Sequence, residues 1–129
     1  MSSDYSIVNL LELENVVTGV AGIEGRFARK QIESRDLGVS HFRYAPGVRG
    51  KGHAHREQEE AYVVVAGSGR MLLGEEVRDL RQWDVVRVAP AVVRAFEGGP
   101  EGLDFIAIGG PKPEGGDGLA ADAPWPDEG

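Results

Sequence analysis

The sequence predicts an all-β fold, a sandwich or a barrel, in one domain. From about Ile23 to Ile108, short apolar and β-branched runs alternate with glycine, proline and aspartate at the spacing typical of such folds. No long segment carries the apolar period of a helix. The 129 residues suffice for a single hydrophobic core, which makes a second domain unexpected.

Residues that tolerate tight or left-handed turns divide this region into strands. The turn segments are Pro46-Gly47, Gly67-Ser68-Gly69, Gly74-Glu75, Gln82-Trp83-Asp84 and Gly98-Gly99-Pro100. The predicted strands are 23–32, 36–45, 52–56, 60–66, 69–73, 76–81, 85–89, 92–97 and 103–109. Upstream, the pattern allows one more strand at 4–10 and a short helical turn at 9–15.

The last part of the chain differs in composition from the rest. After Gly110 it is rich in glycine, proline, alanine and aspartate, which bury little apolar surface. We therefore expect a barrel with an N-terminal extension over 1–110 and a flexible tail over 111–129. Trp125 could dock on the barrel or on a partner subunit, but an aromatic residue between prolines more often stays mobile.

Charge and cysteine content exclude several classes of function. Acidic residues outnumber basic ones by 21 to 14 without a dense basic cluster, which argues against nucleic acid or an anionic membrane as a partner. The absence of cysteine excludes disulfides and thiolate metal ligands. The N-terminal residues do not resemble a signal peptide and no stretch is long enough to span a membrane, so we expect a cytoplasmic protein.

One segment, from Gly47 to Gly67, contains residues that could bind a metal. Side chains two apart on a strand share a face, so His53 and His55 can converge on one point. Glu60 begins the next predicted strand and can face the pair. Two imidazoles and a carboxylate are ligands used by non-haem iron and catalytic zinc.

This segment resembles the first motif of the cupin superfamily, Gly-x5-His-x-His-x3–4-Glu-x6-Gly. Its elements are met by Gly47, His53, His55, Glu60 and Gly67. The resemblance covers roughly residues 20–110 and implies a small cupin-like double-stranded β-helix, or jelly-roll barrel. It also implies a metal site inside the barrel and a homodimer, because small cupins commonly pair through their sheets.

The second cupin motif, Gly-x5-Pro-x-Gly-x2-His-x3-Asn, is altered, and Arg94 stands where the family commonly has a fourth metal ligand, a histidine. A guanidinium stays protonated and cannot bind a cation. Two interpretations remain open. Either a metal binds His53, His55 and Glu60 while Arg94 holds an anionic substrate group, or Arg94 pairs with Glu60 in place of the metal.

Strand parity identifies further candidates for the cavity wall. Tyr62 and Val64 share the parity of Glu60, and Phe96 shares that of Arg94. Val64 and Phe96 are expected to be core residues, whereas the hydroxyl of Tyr62 could contact a ligand. His41 could replace the missing ligand, but such a histidine is more often structural, and the sequence does not say which face of its strand points inward.

The function expected from the sequence is a metal-dependent enzyme acting on a small anionic metabolite. Its metal would be iron, manganese, nickel or zinc, bound by His53, His55 and Glu60, and its substrate would contact Arg94 and Tyr62. The alternative is a metal-free binding or sensory barrel in which Arg94 and the histidines recognise a ligand. The fold does not decide between these functions.

Overall fold

The computed structural model describes residues 4–127 and is nearly all β, which confirms the predicted fold class. Its strands are β1 (Ile23–Phe27), β2 (Gly38–Tyr44), β3 (Gly52–His55), β4 (Glu60–Leu73), β5 (Glu76–Arg81), β6 (Val85–Val88), β7 (Arg94–Gly109) and β8 (Gly118–Ala121). A 3-10 helix over Leu10–Glu12 matches the predicted helical turn, but the strand expected at 4–10 is not formed. The described residues include no helix with the length and hydropathy of a membrane span.

Two long antiparallel strands, β4 and β7, organise the curled sheet. They pair from Glu60↔Gly109 to Leu73↔Arg94, and β7 also pairs with β2 and with β3. Strands β5 and β6 pair with β4, β1 pairs with β2, and β8 pairs with β3. Arg94, at the start of β7, is thereby flanked by His53 of β3 and by Leu73 at the end of β4.

Two of the predicted turns lie inside strands. Gly67-Ser68-Gly69 falls within β4 and Gly98-Gly99-Pro100 within β7, because both strands continue through these points with shifts in register. Gly67 has a φ of 72°, and a Cβ there would lie 2.1 Å from the carbonyl oxygen of Gly102. The glycine therefore permits a bulge and a close backbone approach, not a chain reversal.

Aromatic side chains line the interior of the curled sheet. The rings of Phe96 and Phe105 stack with centroids 4.1 Å apart, and Tyr62 meets Phe96 edge to face at 5.0 Å. On β2, Phe42 and Tyr44 face this interior. Val64 and Phe96 are buried core residues, as their strand parity predicts.

The chain after Gly110 folds back onto the sheet, in contrast to the expected flexible tail. Strand β8 pairs with β3 along its whole length, from Gly52↔Ala121 to His55↔Gly118. Trp125 is only 4% exposed and packs against Leu72 and Ala95. Strand pairing and the packing of one large apolar ring on a second apolar patch thus both place the segment against the sheet.

Candidate metal and ligand site

The three predicted metal ligands lie together at the ends of β3 and β4. The Nε2 atoms of His53 and His55 lie 3.7 Å and 3.0 Å from Oε1 of Glu60. The ligand atoms of the three side chains all lie within 4.8 Å of one another. Only residues 56–59 separate His55, at the end of β3, from Glu60, at the start of β4, so the curled sheet can bring the three side chains together.

Arg94 contacts the same carboxylate oxygen. Its Nη1 lies 3.3 Å from Oε1 of Glu60, and its Nη2 donates to the carbonyl oxygen of Ala89 at 2.7 Å. The side chain is fully buried and lines neither of the cavities described below. This placement differs from the expected substrate clamp, because the guanidinium is held by groups of the protein itself.

Tyr62 also donates a short hydrogen bond to Oε1 of Glu60. Burial raises the pKa of Glu60, but contacts with His53, Tyr62 and His55 outweigh burial and lower the pKa to about 2. Burial and the neighbouring Glu60 carboxylate raise the pKa of Tyr62. At neutral pH Glu60 is therefore ionised while the phenol keeps its proton.

Asp117 supports the histidine strand and the loop that follows it. Its carboxylate accepts hydrogen bonds from the backbone N–H groups of Arg56, Glu57 and Gln58. Its Oδ2 also lies 3.4 Å from Nδ1 of His55. Burial raises the pKa of Asp117, but the three backbone hydrogen bonds outweigh it, and the pKa is lowered. Sequence reasoning missed this residue, because an aspartate between glycines is typical of a turn.

His41 lies on the opposite face of the sheet and does not join the three predicted ligands. Its Nε2 is 2.7 Å from Oδ1 of Asp104, and Arg43 donates to the same carboxylate. The sequence left open which face of β2 points inward, and the structure answers this question. Phe42 and Tyr44 point inward, and His41 has a hydrogen-bond partner in Asp104.

Two adjoining cavities meet at His55 and Glu60. The inner cavity, of about 330 Å³, also includes His53 and is walled mainly by aromatic rings. Those rings belong to Phe27, Phe42, Tyr44, Tyr62, Phe96 and Phe105. The outer cavity, of about 480 Å³, is lined in part by Arg29, Lys30, Lys112 and Asp117. Both volumes lie in the range of small-molecule sites.

Comparison with known proteins gave matches among solved structures only. No protein-family model matches the sequence, and no curated protein matches it. A cupin protein from Bacteroides fragilis superposes with a TM-score of 0.71 at 18% identity, covering 87% of this chain and 88% of that one. The chain has the cupin fold.

Two other cupin-fold neighbours are enzymes by name. A variant of oxalate decarboxylase from Bacillus subtilis has a TM-score of 0.77 at 17% identity over 94% of this chain, which spans only 33% of the decarboxylase. The polyketide cyclase RemF from Streptomyces resistomycificus has a TM-score of 0.73 at 14% identity, with 92% and 89% of the two chains covered. At these identities the likeness establishes the cupin fold and no particular activity.

The side chains of His53, His55 and Glu60 fit a divalent transition metal. Imidazole nitrogen and carboxylate oxygen are suitable donors for such ions. Nε2 of His55 is buried and forms no well-aligned hydrogen bond, although Glu60 is only 3.0 Å away. Within residues 4–127, the group of possible ligand residues consists of His53, His55 and Glu60, so further coordination positions would be left to water or substrate.

Proposed function

We propose that this cupin-fold chain binds a divalent transition metal through His53, His55 and Glu60 and acts as a metal-dependent enzyme on a small anionic metabolite. The observation that supports this most directly is the convergence of both Nε2 atoms on Oε1 of Glu60, where two cavities meet. Iron, manganese, nickel and zinc all accept this donor set.

The chain's own residues prepare the site in three ways. Glu60 is ionised at neutral pH because its pKa is near 2, so metal binding need not displace its proton. Oδ2 of Asp117 lies 3.4 Å from Nδ1 of His55 without a well-aligned hydrogen bond, which is close enough for a small ring movement to bring a carboxylate behind a ligating imidazole. The aromatic walls of the inner cavity give the site an apolar surround. When bound, a divalent ion would supply Lewis acidity towards a group in an open coordination position.

A second candidate function is a metal-free ligand-binding barrel. The observation that favours it is the contact between Nη1 of Arg94 and Oε1 of Glu60, at 3.3 Å. In that case Arg94 compensates the buried carboxylate, and His53 and His55 offer hydrogen bonds to a ligand in the inner cavity. Oxalate decarboxylase is named for a small dicarboxylate, which supports an anionic ligand by analogy for either function.

Elemental analysis distinguishes the two candidates. The full chain, purified without a metal-affinity tag and exposed in turn to iron, manganese, nickel and zinc, is expected to hold about one equivalent of metal. His53→Ala should abolish this content. Glu59→Ala should not, because Glu59 is exposed and pairs with Arg87 at the surface. A wild-type chain that stays empty with all four metals would overturn the metal-dependent function.

The expected homodimer and cytoplasmic location stay predictions. Sedimentation analysis of the purified chain would test the first of them.

A further inference from the structure

The outer cavity has a charge balance that differs from that of the whole chain. Carboxylates exceed cationic side chains by 21 to 14 in the sequence. The cavity lining reverses this ratio, with Arg29, Lys30 and Lys112 against Glu60 and Asp117. An acidic protein therefore presents a locally cationic surface beside the proposed metal ligands.

The two carboxylates at this surface are already compensated. Glu60 contacts Arg94 and Tyr62, and Asp117 accepts three backbone hydrogen bonds. Among residues 4–127, neither Lys30 nor Lys112 forms an ion pair. The positive charge at the cavity is thus left for a ligand.

Arg29 is the best placed of the three cations. Its Nη2 donates to the carbonyl oxygen of Gly110 at 2.9 Å, which anchors the side chain beside the cavity. Its Nη1 is buried and has no hydrogen-bond partner. A Cβ on Gly38 would lie 2.4 Å from Nη2, so the guanidinium occupies space that only a glycine leaves. A buried, unpaired guanidinium N–H is costly unless an acceptor binds it.

The inner cavity favours the apolar part of the same ligand. It shares Phe27, Ser40, His55, Glu60 and Ala107 with the outer cavity, so one molecule can extend through both. Its remaining walls are mainly phenyl and phenol rings, which favour edge-to-face or offset contact with a ligand ring. Its volume of about 330 Å³ admits a small ring system.

We propose that the ligand of this site is a small carboxylate that carries an apolar ring. The carboxylate binds Arg29, assisted by the charges of Lys30 and Lys112, and the ring occupies the inner cavity. A guanidinium N–H donates a strong hydrogen bond to a carboxylate, and the role that the sequence suggested for Arg94 falls to Arg29. This inference rests on the proposed function in one respect, namely that the bound acid is the metabolite on which the site acts.

Calorimetric titration with three probes tests the proposal on the full chain. Phenylacetate has both parts of the ligand, phenylacetamide has the ring without the charge, and acetate has the charge without the ring. Phenylacetate is expected to bind at least about tenfold more tightly than either of the others. Equal affinities of phenylacetate and phenylacetamide would overturn the proposal, because no anion subsite would then be at work.

Three variants locate the anion subsite. Arg29→Gln should weaken phenylacetate binding about tenfold and leave phenylacetamide unchanged. Gly38→Ala should also weaken phenylacetate binding, because it displaces the guanidinium while keeping its charge. The matched control is Arg35→Gln, since the side chain of Arg35 is 91% exposed and should change neither affinity. If Arg29→Gln lost affinity equally for both probes, Arg29 would not recognise the negative charge of the ligand, and its assignment as the carboxylate-binding residue would be overturned.

Metal analysis of the same samples separates this inference from the proposed function. Arg29→Gln should retain the metal content of the wild type, since Arg29 is not among the three ligands. Selective loss of phenylacetate affinity in a metal-free protein would support the carboxylate site and overturn the metal-dependent function. A metal-loaded protein that binds none of the probes would overturn the carboxylate site and leave the proposed metal site standing.

Discussion

Nη1 of Arg94 lies 3.3 Å from Oε1 of Glu60, and no part of the Arg94 side chain is exposed. A permanent cation is therefore buried against the carboxylate that is also the proposed metal ligand. Two positively charged species, the guanidinium and a metal ion, can compensate the same negative charge. A metal ion bound at Glu60 either adds to the Arg94–Glu60 contact or competes with it.

Replacing Arg94 is the direct test of this competition. Arg94→Met leaves Glu60 without its buried cationic partner and is expected to destabilise the fold by about 3–5 kcal/mol. Because the repulsion is gone, zinc or manganese should raise the thermal midpoint more in the variant than in the wild type. Metal at a hundredfold excess over its dissociation constant contributes about 2.7 kcal/mol. Differential scanning fluorimetry with and without metal measures both effects.

Two further variants make this test decisive. The double variant Arg94→Met, His53→Ala should lose the response to metal, because one imidazole ligand is missing. Arg94→Lys keeps the positive charge and should respond to metal no more than the wild type. Equal metal responses in Arg94→Met and the wild type would contradict competition between the guanidinium and the ion.

The hydroxyl of Tyr62 contributes to stability through Glu60. Tyr62→Phe keeps the ring that packs on Phe96 but removes the donor to the carboxylate, and should cost about 1.5–2 kcal/mol. Tyr44→Phe is the matched control, since Tyr44 is a buried core ring whose hydroxyl forms no hydrogen bond within residues 4–127. Its cost should stay within about 0.5 kcal/mol. Urea unfolding at neutral pH compares the two, and equal costs would show that the Glu60 contact adds nothing.

Asp117 should position His55 and the loop between β3 and β4. Asp117→Ala removes the acceptor of three backbone N–H groups, so the amides of Arg56, Glu57 and Gln58 should exchange hydrogen faster. Loss of the carboxylate beside His55 should also weaken metal affinity about 10–100-fold. Asp122→Ala, an exposed aspartate in the same segment, serves as the control. Unchanged exchange at these three amides would rule out the positioning role.

Short-range patterns in the sequence were sufficient to predict the fold class and the clustering of His53, His55 and Glu60. The spacing of His53 and His55 places both imidazoles on one strand face, and Glu60 opens the next strand. Because side chains alternate between the two faces of β2, the inward-facing pair had to be either His41 and Arg43 or Phe42 and Tyr44. These predictions depend only on strand geometry, which the local sequence specifies well.

Contacts between distant segments could not be predicted in the same way. Asp117 reaches the backbone of residues 56–58 across about sixty positions, and Trp125 finds its apolar patch on β4 and β7. The environment of Arg94 depends on where the Ala89 and Pro90 carbonyls lie after folding. The residue composition of the segment after Gly110 is polar and glycine-rich, and one tryptophan hardly changes that average. Composition therefore could not predict that Trp125 is buried.

Attachment of the C-terminal segment should depend on pH through Glu97. Arg70 and Arg49 both donate to Glu97 and also to Asp127, and their guanidinium groups lie over the ring of Trp125. The hydrogen bond from Arg70, with that from Arg49, lowers the pKa of Glu97 from its ordinary value of 4.5 despite partial burial. A carboxyl group whose pKa is lower in the folded chain than in the unfolded chain stabilises the fold at every pH above its unfolded-state pKa. This contribution is lost as the pH falls through the folded-state pKa.

Wild type should therefore exceed Glu97→Gln in stability by about 1 kcal/mol at pH 7, and this difference should shrink as the pH falls below about 4.5. Urea unfolding curves at a series of pH values, followed by circular dichroism, measure the difference. Glu101→Gln, at an exposed site in the same strand, should show no such trend. Because the network is partly exposed, added salt should reduce the difference at pH 7. A difference that is constant from pH 7 to pH 3 would mean that ionised Glu97 does not hold the two arginines that flank Trp125.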